Sequence, residues 1–109
     1  MVVVLFGTSK REDIDLEEYA ARNERMYELV QQVPGFIEIK GYVSDDGERI
    51  SVARFESEEA LKEWRFQPEH VETQRRAREN YYDSYWVQVC KTVRDYRFSR
   101  AEGYVQKPV

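Results

Sequence analysis

The sequence predicts an α+β fold in which a four-stranded antiparallel sheet carries helices on one face. Three observations lead there. Apolar periods follow the order strand, helix, strand, strand, helix, strand; an Asp46-Gly47 pair separates the two middle strands; and Pro34-Gly35 stops the first helix. A chain of 109 residues is one domain, able to bury roughly 65% of its unfolded surface.

Val2 to Phe6 is β-branched and apolar on both alternating faces, the pattern of a central strand. After Lys10-Arg11-Glu12, Asp13 or Asp15 can cap a helix whose apolar positions Leu16, Tyr19, Ala20, Met26, Tyr27 and Val30 share a stripe. Phe36 to Val43 and Arg49 to Glu56 read as a hairpin, because Asp-Gly supplies the positive φ of a tight turn. Ser57, followed by Glu58 and Glu59, caps a second helical region buried through Ala60, Leu61 and Trp64. Pro68 restarts that helix at a new angle, since proline is accepted at a first helical position but not in the interior. Tyr85 to Tyr96 alternates as the last strand. This order is the split β-α-β, or ferredoxin-like, arrangement. The domain is expected over residues 1–98, with residues 99–109 a partly ordered C-terminal tail.

Seventeen Lys and Arg stand against twenty-one Asp and Glu, dispersed rather than blocked, which argues against a nucleic-acid partner. The run Arg75-Arg76-Ala77-Arg78 is interleaved with Glu69, Glu72 and Glu79 and reads as a salt-bridged, solvated face. Cys90 is the sole cysteine, expected as a packed core thiol in a reducing compartment. No leader or membrane span is visible, so a cytoplasmic protein is expected. Two helices cover only one sheet face, yet Ala53, Phe55, Trp86 and Cys90 add apolar surface that can share the other. A homodimer with its sheets face to face would bury it.

His70 is the only histidine, and imidazole is the side chain that titrates near neutrality. Beyond Pro68, His70, Thr73, Gln74, Ala77, Asn80 and Tyr81 form a stripe opposite the charged positions. Buried polar groups need partners, so this stripe lines a pocket unless the helix is half solvated. Asn23 faces the same space from the first helix, so Asn23, Trp64, His70 and Tyr81 can surround one cavity, unless Asn23 bonds backbone and Trp64 is plain core. No dinucleotide fingerprint, phosphate loop, nucleophile elbow or second histidine is present, so neither nucleotide-based hydride chemistry nor a zinc or two-histidine iron site is expected.

Val33-Pro34-Gly35-Phe36, Asp46-Gly47-Glu48-Arg49, the run Phe55 to Arg65, Pro68-Glu69-His70 and Val87-Gln88-Val89-Cys90 together resemble the antibiotic biosynthesis monooxygenase family. The resemblance spans residues 2–98 and implies a dimeric α+β barrel. It also implies oxygenation of phenols, quinols or anthrones by molecular oxygen without flavin, haem or metal. In such a reaction a base removes a proton, and the substrate anion reduces oxygen in a dry pocket. The family pattern places a tyrosine six positions after a pocket tryptophan; here the pair is Trp64 and His70.

The resemblance thus implies His70 as base with Trp64 beside it; the inward helix faces add Tyr81 as the expected secondary proton donor, with Asn23, Gln74, Tyr27 and Phe66 expected around the substrate. A haem-degrading branch of the fold uses asparagine, tryptophan and histidine. Its tryptophan-to-histidine spacing is longer, and its first-strand asparagine is absent here, where the chain reads Phe6-Gly7-Thr8. The alternatives are therefore a small-molecule-binding dimer without turnover and a haem-binding or haem-degrading protein.

Overall fold

The computed structural model describes residues 1–109. Strand β1 (Val2–Lys10) leads to helix α1 (Leu16–Val30), the hairpin of β2 (Phe36–Val43) and β3 (Arg49–Phe55), and helices α2 (Glu58–Arg65) and α3 (Pro68–Arg76). A π-helical turn over Ala77–Tyr81 then enters β4 (Tyr82–Lys91), followed by β5 (Asp95–Ser99) and β6 (Gly103–Lys107). The main sheet is antiparallel in the order β2-β3-β1-β4, the ferredoxin-like topology that the element order predicts. β1 is one of the two central strands, pairing Val4 with both Ala53 and Val89.

Local chemistry sets the boundaries. Asp15 caps α1 by accepting from the Glu18 amide at 3.1 Å, and Ser57 caps α2 by accepting from the Ala60 amide at 3.2 Å. Gly47 turns the hairpin at φ 90°. Pro68 opens α3, with the Gln67 side chain accepting from the His70 amide at 2.8 Å.

The core has two centres along α1. Val30, Ala53, Phe55 and Ala60 form one, with Val4, Phe36, Ile39, Leu61 and Trp64 against it. Tyr19, Ala77 and Tyr81 form the other, with Ile14 and Tyr82. Val4 and Ala53 therefore face the helices, and strand alternation turns Val3, Leu5, Val52 and Arg54 to the opposite face. There the Trp86 ring lies over Gly7, where an added Cβ would sit 2.2 Å from the indole nitrogen.

Five expectations are corrected. Ala53 and Phe55 belong to the helix-side core and not to the other face, because they pair with Val4 and Val2 on the side the helices cover. The last strand ends at Lys91, and residues 95–107 form a separate two-stranded hairpin instead of an irregular tail. Its turn uses Gly103 at φ 73°. Cys90 is exposed, because it pairs with Val3 on the sheet face that no helix covers. Asn80 is exposed and not sheet-facing, since the wider π-helical turn carries it out of the stripe while Tyr81 stays inward as expected. Leu16 is 67% exposed, standing at the helix end beyond the packed stripe.

Candidate functional site

Trp64 lies in the last turn of α2, where backbone carbonyls have lost their intrahelical donors. Its carbonyl accepts from the Gln67 amide at 3.2 Å and from His70 Nδ1 at 2.8 Å. Because a carbonyl can only accept, Nδ1 carries the proton, and the neutral ring exposes its lone pair at Nε2. The imidazole lies flat on the Trp64 indole, with centroids 4.0 Å apart and planes inclined by 14°. Burial pushes the imidazole pKa below its usual value, outweighing the Trp64 carbonyl, which raises it. The ring is thus neutral at pH 7 with its tautomer fixed, the state a general base requires.

α3 is held to α1 at both ends. Arg25 makes a two-toothed bond to Glu69 at 2.8 and 2.9 Å, and Arg76 reaches Glu18 at 2.8 Å. The expected surface network is present: Arg75 pairs with Glu72 at 2.6 Å and with Glu79 at 2.8 Å. Arg75, with Arg76 at 3.4 Å, pulls the Glu72 carboxyl pKa down to about 2.

Of the residues expected at the site, the fold brings Trp64 and His70 into direct contact. Asn23 and Gln74 are half-buried on α1 and α3. The Tyr27 hydroxyl donates to the Ile39 carbonyl at 2.9 Å, bracing α1 on β2. Phe66 is 60% exposed, with the Arg65 guanidinium 5.4 Å above its ring. Tyr81 belongs to the second core centre, its ring edge-on to Tyr19 at 5.3 Å and its hydroxyl donating to Glu18 at 3.0 Å.

Sequence reading passed over Tyr82 and Gln67. The Tyr82 hydroxyl shares a hydrogen bond with Tyr19 at 3.1 Å, and burial with that neighbour holds it well above the ordinary phenol range. Tyr82 follows Tyr81 directly, and two adjacent tyrosines at a helix-to-strand junction were the available signal. Gln67 was hidden because glutamine is an uncommon cap. No cluster of three potential metal ligands occurs, and no helix is long and apolar enough to cross a membrane.

A ferredoxin-like sheet with a neutral histidine stacked on tryptophan between two helices defines a class of small α+β domain. The chain belongs to the antibiotic biosynthesis monooxygenase family, whose sequence model matches residues 1–76. It is 33% identical over 95 residues to the uncharacterized protein YqjZ of Bacillus subtilis (strain 168), covering 87% of this chain and 82% of that protein. Rv0793 from Mycobacterium tuberculosis superposes with a TM-score of 0.72 at 24% identity, over 84% of this chain and 94% of the other. SnoaB from Streptomyces nogalater, described as a cofactor-independent oxygenase, superposes at 0.67 with 14% identity, over 93% and 97% of the two chains. These structural likenesses establish the fold.

Proposed function

We propose that the chain is a cofactor-independent monooxygenase acting on a phenolic, quinol-like or anthrone-like small molecule, with His70 as general base. The observation that carries this reading is the paired fixing of one imidazole: Nδ1 bonded to the Trp64 carbonyl at 2.8 Å and the ring stacked on the same residue at 4.0 Å. Nε2 is left to take a proton from the substrate, and burial keeps it unprotonated beforehand. Family membership supports the reaction class.

For an anthrone, the balance is one CH2 converted to C=O. Nε2 removes one benzylic proton, the carbanion passes its electrons to O2, and the new C–O bond retains one oxygen atom. The other oxygen leaves as water with both substrate hydrogens. Trp64 forms the wall beside the base, and the half-buried Asn23 and Gln74 supply hydrogen bonds to the substrate oxygens. Tyr27 and Phe66 flank the approach. Tyr81, the secondary proton donor of this scheme, releases Glu18 when it acts.

A homodimer is part of the proposal. The sheet face carrying Val3, Leu5, Val52 and Trp86 has no helix over it, and Tyr96, Phe98 and Tyr104 of the terminal hairpin are 56%, 62% and 65% exposed. A second copy would bury both. With one cysteine and a small-metabolite substrate, the setting we propose is cytoplasmic.

The test is turnover of an anthrone and a hydroquinone panel under 18O2 by metal-stripped protein. One labelled oxygen in the anthrone product supports the reading. Ligand binding without oxygen consumption would instead favour a binding module in which His70 serves only to cap α2.

A further inference from the structure

A groove of about 460 Å³ lies between the end of β1 and the β2–β3 hairpin, away from the Trp64–His70 pair; Thr8, Lys10, Val43, Asp46, Glu48 and Arg49 line it. Thr8 is 5% exposed, yet its hydroxyl has no hydrogen-bond partner in the fold. A buried hydroxyl left unpaired is costly, and a fold that keeps one beside a groove has a donor ready for a ligand.

The charges of the groove are unequally occupied. Asp46 accepts from the Ser44 hydroxyl and from the Glu48 amide at 3.0 Å, and Glu48 accepts from the Trp86 indole at 2.9 Å. Neither Arg49 nor Lys10 is paired with a carboxylate. Lys10 lies 4.7 Å from the Tyr19 ring centre. Arg49 faces Thr8 across the β1–β3 pairing, and its guanidinium rests over Gly41, where a Cβ would come within 2.8 Å of it.

We propose that this groove binds a small organic monocarboxylate. The carboxylate sits on the Arg49 guanidinium with Lys10 as second cation, and the Thr8 hydroxyl donates to it. The carboxylates of Asp46 and Glu48 disfavour a dianion such as phosphate. They accommodate instead a hydroxyl on the carbon next to the ligand carboxylate, as in a 2-hydroxy acid.

Amide chemical-shift titration of the full chain with glycolate tests the site without reference to oxygen consumption. Saturable shifts at Thr8, Lys10, Gly47 and Arg49 are expected with glycolate, and none with phosphate at equal concentration. Arg49→Gln and Thr8→Val should each weaken glycolate at least about tenfold, the value of a hydrogen bond to a charged group. Thr8→Val should leave the ligand-free unfolding midpoint unchanged or higher, because no protein hydrogen bond is lost. No saturable shift with glycolate, an equal response to phosphate, or a Thr8→Val variant with lower ligand-free stability and unaltered affinity would each overturn the proposal.

Discussion

His70 lies flat on the indole of Trp64 and donates Nδ1–H to the backbone carbonyl of that same residue. One residue therefore sets both the plane and the tautomer of the only imidazole in the chain. The carbonyl is available because α2 ends there, and the imidazole reaches it because Pro68 restarts the chain as α3 two residues ahead of His70.

Replacing the base while keeping its bond separates chemistry from folding. His70→Asn retains a donor for the Trp64 carbonyl but has no basic nitrogen. We expect kcat/KM to fall at least about 10²-fold, the usual value of general-base catalysis, with the far-ultraviolet circular dichroism unchanged.

Stability should depend on pH through the same ring. The folded pKa lies below the usual imidazole value of 6.5, so the unfolded chain binds the proton more readily. The stabilisation is whole above pH 6.5 and is lost as pH falls from there through the folded pKa. Urea midpoints measured downward from pH 7.5 should decline in that window, and the decline should be smaller in His70→Asn.

Gln67→Ala removes the oxygen that accepts from the His70 amide. A loss of about 1 kcal/mol is expected from equilibrium unfolding, as for other helix caps. Because the cap holds the first turn of α3, KM should rise more than stability alone explains.

Gly7→Ala places a methyl group in the Trp86 ring. The indole must move and lose its bond to Glu48, at a cost of about 1–3 kcal/mol with a shift of tryptophan fluorescence. Since Trp86 lies on the face proposed to meet a second copy, sedimentation should also register a weaker dimer.

Most of the fold was legible because short-range chemistry marks it. Asp15, Ser57 and Pro68 stand at the boundaries their side chains dictate, and Gly47 at the turn its free backbone permits. The break at Lys91 was not legible, because alternation continues through Tyr96 and only tertiary pairing decides where β4 leaves the sheet. Tyr81 was legible as inward-facing, but the π-helical turn has no compositional mark, so the outward turn of Asn80 was invisible. Trp64 and His70 could be named from residue type and spacing. The bond that fixes the tautomer could not, since it depends on the angle between two helices.

The measurement that bears most directly on the central claim is oxygen uptake by metal-stripped protein with anthrone and hydroquinone substrates, wild type beside His70→Asn, corrected for autoxidation. With His70 as the base, the wild type consumes oxygen and the variant loses nearly all uptake, with both proteins folded. Equal uptake by the two would contradict that role and remove His70 from the chemistry.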